Sequence, residues 1–332
     1  MEEIVQPQNF SVHAIEDFTQ LAGLMRRDSP RSAAALDKTA RLVHRAVKFL
    51  LPNCAGLVDL HGLTENHLDM LRLPYPLVAL EVPWKAETGR FISEGPMKEA
   101  LSSKRIVLAW DESFVADADI PVPARGEPGI YVLSLYFDDT VKRWIGTAVG
   151  AFIPQRNTVV RYDASDLPDT PANQLMLAQG WARPGSPTHA VDYFIVQPEM
   201  FDMLASRLGP DVAATRMQLD LLDELMSLWQ FCLTINCSNV KAVDLPPASA
   251  LNKKRIKNGK LPFFTYKVLQ LPEPSASGKG SGVQLEGQRN SPRMHLRRGH
   301  PRRLPTGKMT YVRAAIISAT SEGQVDKSYV VR

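Results

Sequence analysis

The chain has 332 residues, 44% hydrophobic and 22% charged, with a net charge of +4; a globular chain of this size buries a core without needing a disulfide or metal staple. Three cysteines, an acidic and non-apolar start (MEEIVQPQNF) and no apolar run near the roughly 18 residues of a membrane helix argue against a disulfide scaffold, a signal peptide and a membrane span, and the reading is of a cytoplasmic protein. The small net charge hides a division: residues 251–332 hold 17 Lys+Arg and 4 Asp+Glu, net +13, which leaves net −9 on residues 1–250.

Taken in order, residues 15–27 read as a short amphipathic helix and 30–51 as a stronger one. Ser29-Pro30 supplies its cap and first residue, Leu36, Ala40, Val43, Val47 and Leu50 its apolar face, and Pro52 its stop. A helical turn or two is expected at 65–72. The period then changes to that of strands at Leu77–Val82, Ile106–Trp110, Ile130–Phe137, Trp144–Ile153, Val159–Tyr162 and Tyr193–Val196. Residues 138–143 suit a hairpin turn. A long helix covers 211–236, with Asp211 as cap. Its two apolar stripes, Leu219-Leu222-Met226-Trp229-Leu233 and Leu221-Leu225-Leu228-Cys232, imply cover on more than one side. Strands are expected at 240–245 and 263–271. Residues 272–292 are rich in Pro, Gly and Ser and read as a linker. A basic run at 293–303, a Pro305-Thr306-Gly307 turn and a strand at 309–317 follow. The expected fold is α+β: a mixed, largely antiparallel sheet packed with a long central helix. Residues 1–250 form the body and 251–332 a basic C-terminal segment.

Two blocks carry the positive charge. The first holds Lys253, Lys254, Arg255, Lys257 and Lys260. The second holds Arg293, His295, Arg297, Arg298, His300, Arg302 and Arg303, with Lys308 beyond. Clustered cations suit phosphate, because each neutralised phosphate releases counterions, and arginine matches phosphate with a planar fork of donors. Tyr266, Phe263 or Phe264 and the histidines are candidates for stacking on unpaired bases. A solvated face is the alternative.

Other constellations are weaker. His295 and His300 lack the ligand partners of a zinc site, and Cys232 and Cys237 read as buried thiols. Glu81, Asp111 and Asp138 lie in or beside strands, as a metal-dependent nuclease would require. A buried Glu81 that holds an arginine or a backbone amide is the plainer reading. No nucleotide or cofactor loop and no nucleophile motif is present. Tyr75 and Trp84, beside prolines next to the Glu81 strand, read first as core packing at a strand start, with the lining of a peptide groove at a sheet edge as the alternative.

The segments Asn236-Cys237-Ser238-Asn239-Val240, Leu251-Asn252-Lys253-Lys254-Arg255, Leu261-Pro262-Phe263-Phe264 and Ser291–Leu304, with its Arg297-Arg298-Gly299-His300-Pro301-Arg302-Arg303-Leu304 core, resemble a block of phage, prophage and plasmid proteins. That group is similar to the type V-A anti-CRISPR family that suppresses production of the effector nuclease. The resemblance covers roughly the last 100 residues. It implies a mobile-element protein that binds the nascent N-terminal peptide of the effector and lowers its message, with RNA or ribosome contact through the basic segment. A general nucleic-acid-binding protein of a mobile element is the alternative.

Overall fold

The computed structural model describes residues 7–58, 65–85, 101–112, 114, 126–155, 159–161, 187–272, 295–297, 299–312 and 315–317. Two helices, α1 (Phe10–Met25) and α2 (Pro30–Arg45), lead into β1 (Val47–Leu50). After a single helical turn at Glu65–Leu68 come β2 (Leu77–Pro83), β3 (Ser102–Asp111), β4 (Gly129–Asp138) and β5 (Arg143–Pro154). The short strands β6 (Val159–Arg161) and β7 (Pro187–His189) pair with each other, and β8 (Asp192–Ile195) pairs with β5. Helices α3 (Pro198–Leu208) and α4 (Pro210–Ile235), strand β9 (Lys241–Leu245), helix α5 (Ser249–Lys257) and strand β10 (Tyr266–Gln270) follow. Last come β11 (His295–Arg297), β12 (His300–Arg303), β13 (Met309–Val312) and β14 (Ala315–Ile317), which pair β11 with β14 and β12 with β13.

Eight strands make one mixed sheet in the order β8-β5-β4-β3-β2-β1-β10-β9. Its pairings are antiparallel except for β1, which runs parallel to both β2 and β10. The fold is therefore α+β with a long helix on the sheet, as expected. Both faces of the sheet are covered, which is why its strands read as unbroken apolar runs. Along β2, Leu77 and Ala79 face α1 and α2 with Ile106, Leu108 and Trp110. Val78, Leu80 and Val82 face α4, against Leu221, Leu225 and Leu228. The last turns of α4 are buried all round, from Ser227 to Thr234. Leu57, Leu68, Leu71 and Tyr311 share this cluster and supply the outer cover. The stripe Leu221-Leu225-Leu228-Cys232 and the Trp229-Leu233 end of the other have that cause, whereas Leu219, Leu222 and Met226 are half-buried and lie outside the cluster.

Two expectations change. The helix expected over 30–51 ends at Arg45, because Ala46 turns extended (ψ 146°) and Val47–Leu50 pairs residue for residue with β2 and β10. The strand expected from Phe263 starts at Tyr266, and the basic stretch before it forms α5. The linker at 272–292 lies outside the described residues except Pro272. Since β10 lies between β1 and β9, the body's sheet takes a strand from beyond residue 250.

Candidate polyanion-binding surface

Helix α5 follows the edge strand β9 and has no buried residue. Two inward side chains hold it. Asn252 accepts a hydrogen bond from Phe263 N (2.7 Å) and donates to Phe263 O (2.9 Å). Arg255 donates from Nε to Leu261 O (2.6 Å) and from Nη2 to Glu16 Oε1 of α1 (2.9 Å), with its guanidinium 4.3 Å from the Phe263 ring centre. The helix ends where Asn258 N donates to Lys254 O and Arg255 O and Gly259 takes φ 66°, a left-handed stop that glycine adopts without strain.

With Asn252 and Arg255 inward, the helical repeat puts Lys253, Lys254 and Lys257 outward within an arc of about 100°. All three, and Lys260 beyond the cap, are exposed. None has a carboxylate partner among the described residues. Leu251 (54% exposed) and Ile256 (62%) border the lysine face. Cations in a last turn also complement the helix dipole, so Lys254 and Lys257 stabilise α5 as well as charging its surface. Arg255, by contrast, is committed to its own fold.

The second block forms the β12–β13 hairpin. Its turn closes as read from the sequence: Gly307 N donates to Leu304 O (2.9 Å) with Gly307 at φ 81°. Pro301 and Tyr311, opposite one another, point inward. Tyr311 donates its hydroxyl to Leu57 O (2.6 Å) and its amide to Asn239 Oδ1 (2.7 Å), and Asn239 Nδ2 donates to Tyr311 O (3.0 Å). Ser238 N and Oγ both donate to Met309 O at 2.9 Å. Gly299 is required here, because a Cβ would stand 2.2 Å from the Tyr311 hydroxyl. Arg302, Arg303 and Lys308 are exposed, and His300 is half-buried. His295 and Arg297 fall on β11 by their backbone, while Arg293 and Arg298 lie outside the described residues.

The two blocks attach to opposite layers. Arg255 binds α1, on one face of the sheet, whereas Tyr311 and Met309 pack into the α4 cluster on the other.

The peptide residues also divide. Tyr75 and Trp84 pack against the α4 cluster. Glu81, 1% exposed, faces the other way, under the start of α1. Its carboxylate accepts from Ser11 N (2.7 Å), Phe10 N (3.0 Å) and the Tyr266 hydroxyl (2.8 Å). A backbone amide is thus its partner. Burial pushes its pKa up against the pull of these hydrogen bonds. Strand β2 has neighbours on both sides, so an incoming peptide finds no free edge beside Tyr75 and Trp84. Among the described residues the unpaired edge on this side of the sheet is β9, where Val243 is 43% exposed.

The three acids of the nuclease reading do not meet. Asp138 sits across from Ser102 at one end of β3, and Asp111 is at the other end, about 30 Å away at strand rise. Asp138 instead accepts from Thr140 N (2.7 Å) and Val141 N (3.1 Å) to close the β4–β5 turn. Among the described residues no cluster of His, Cys, Asp and Glu is able to hold a metal. Cys232 and Cys237 are buried, and burial pushes the Cys237 thiol up to about 12.

Sequence reasoning missed Lys48, 3% exposed on β1. Its Nζ donates to His44 O and Ala46 O, each at 2.7 Å, at the C-terminal end of α2, and stands 3.7 Å from the Phe264 ring centre. Burial pulls its pKa down to about 7, with Glu81 opposing. The available signal was a lone charge within the apolar run Val47–Leu51.

Comparison of the chain with protein-family models, with curated proteins and with solved structures finds no match.

Proposed function

We propose that this is a non-enzymatic protein that grips the phosphate backbone of RNA through the lysine face of α5, with Arg302, Arg303 and Lys308 of the hairpin as a second contact. The observation that carries the reading is the shared outward face of Lys253, Lys254 and Lys257, each without a carboxylate partner among the described residues. Lysine is a flexible point charge rather than a planar fork, so the grip is on backbone and not on sequence. Selection of a target then falls to another contact.

The family resemblance supplies one: the nascent N-terminal peptide of a type V-A effector nuclease, whose message is lowered when the peptide is bound. What supports this reading physically is the free edge of β9, since a sheet edge accepts an extended peptide by main-chain hydrogen bonding. The docking of the Asn236–Val240 segment onto the β12–β13 hairpin through Asn239 and Tyr311 supports treating two of the resembling segments as one folded unit.

The test is affinity capture of the full chain from cells translating the effector, with RNA and peptide both read out. Enrichment of the effector message and its N-terminal fragment, lost when Lys253, Lys254 and Lys257 are changed to Ala, is expected. Bulk RNA without the fragment leaves a general RNA-binding protein, and capture of neither removes both readings.

A further inference from the structure

On the α1 face of the sheet, a cleft of about 330 Å³ opens between the start of α1 and the β4–β5 turn, lined by Phe10, Glu16, Lys104, Phe137, Lys142 and Trp144 among others. One wall is aromatic. Phe137 and Trp144 lie 5.8 Å apart between ring centres, and Phe10 and Trp144 5.5 Å. Phe10 and Trp144 are buried, whereas Phe137 is half-exposed and offers the accessible ring.

The charges around the cleft are of two kinds. Its acids are engaged: Asp17 accepts from Trp144 N (2.8 Å), and Glu16 takes Arg255 (2.9 Å) and His13 (3.5 Å). Its lysines are not paired with acids. Lys104 Nζ stands 4.3 Å from the Phe137 ring centre, and Lys142 is exposed on the turn. Neither has a carboxylate partner among the described residues. Arg255 offsets Glu16, but the Trp144 amide leaves the charge of Asp17 in place, so Lys104 and Lys142 give the lining an excess of one positive charge beside a flat apolar ring.

Glu16 connects this cleft to α5, because it lines the cleft and binds Arg255, the inward residue of the lysine helix. We propose that the cleft is a nucleotide subsite, in which a base of a single strand enters against Phe137 while its phosphate meets Lys104 and Lys142 and the strand runs on past Arg255 to Lys253, Lys254 and Lys257. The inference rests on the polyanion reading of α5 and adds to it a preference: single strands, whose bases are free to enter, over duplexes, whose bases are not.

The experiment compares a labelled 12-mer of oligoadenylate with a blunt RNA duplex of equal length, by fluorescence anisotropy on the full chain. Phe137→Leu keeps an apolar side chain against Trp144 and removes the flat ring. It is expected to weaken single-strand binding by about tenfold and duplex binding by less than about twofold. Lys142→Ala, at an exposed turn position, is expected to cost about threefold on the single strand. Equal loss on both ligands, or no loss with either variant, overturns the subsite. If Lys253, Lys254 and Lys257→Ala lowers affinity for both ligands while Phe137→Leu is silent, the subsite alone fails. If the unaltered protein binds neither ligand, the polyanion reading fails with it.

Discussion

Single residues set the ends of the α1–α2 hairpin. Glu81 receives the first amides of α1, and Lys48, on the neighbouring strand, donates to the last carbonyls of α2. Antiparallel helices bring those two termini to one end, so an acceptor on one strand and a donor on its neighbour satisfy both. The start of α2 is served in the same way from a distance. Ser29 occupies the cap position without a side-chain bond, and Glu199 instead accepts from Arg31 N (3.2 Å), Ser32 N (2.9 Å) and Ser32 Oγ (2.6 Å). Burial works against the Glu199 carboxylate, but the Ser32 and Arg31 hydrogen bonds outweigh it and hold its pKa near 2, below the ordinary 4.5. A depressed carboxylate stabilises the fold above its ordinary pKa and loses that contribution as the pH falls from 4.5 toward 2. Glu199→Gln is therefore expected to cost about 1–2 kcal/mol at pH 7 by urea unfolding, and to match the unaltered protein more closely as the pH approaches 2. An unchanged midpoint at pH 7 contradicts this.

Lys48 is also shifted downward, but there the shift disfavours the charged form. Its pKa falls from 10.5 to about 7 on folding, so between those values the unfolded chain holds more protons and stability rises with pH. Lys48→Met is expected to flatten that rise between pH 7 and pH 10, measured by the same unfolding experiment. A slope identical to that of the unaltered protein rules out this role.

Individual elements show what the sequence discloses and what it withholds. The central strands and α4 were legible, because both faces are covered and the apolar runs are long. The last turn of the expected α2 was not. Val47–Leu50 continues an apolar pattern, and a buried four-residue strand has no period of its own that separates it from a helix. Helix α5 was illegible for a different reason. Its cap position is Ala248, with no side-chain bond, it buries no apolar stripe, and its anchors reach Leu261, Phe263 and Glu16 through Asn252 and Arg255. Such contacts appear only after the chain has folded. The basic blocks themselves were legible as charge. Their division between opposite layers was not, nor was the inward commitment of Arg255, Gly299 and Pro301. The hairpin's seat is testable. Asn239→Ala removes the hydrogen bonds that Asn239 makes to the Tyr311 amide and carbonyl, and is expected to cost about 1–3 kcal/mol and to speed tryptic cleavage after Arg302 and Arg303. An unchanged cleavage rate means that the hairpin is held some other way.

At the scale of the whole molecule, the charge divides the chain into an acidic body and a basic C-terminal segment. Among the described residues no helix is long and apolar enough to cross a membrane. The acidic body spends many carboxylates on its own architecture, at helix starts (Glu81, Glu199), at a turn (Asp138) and on the buried Arg105, which Glu224 and Asp223 meet at 3.1 and 3.2 Å. Arg255–Glu16 and Lys267–Asp244 are the pairs that join residues beyond 250 to acids before it among the described residues. The outward lysines of α5, which have no carboxylate partner among the described residues, keep a field that a phosphate backbone would neutralise, and the proposed function rests on it.

The most direct measurement is the dependence of RNA affinity on salt. For single strands the slope of log K against log[salt] is about −0.7 per phosphate neutralised. Replacing Lys253, Lys254 and Lys257 by Ala is expected to make the slope shallower by about 2 and to weaken binding several-fold at low salt. A variant with the slope and affinity of the unaltered protein would show that the lysine face of α5 does not meet phosphate.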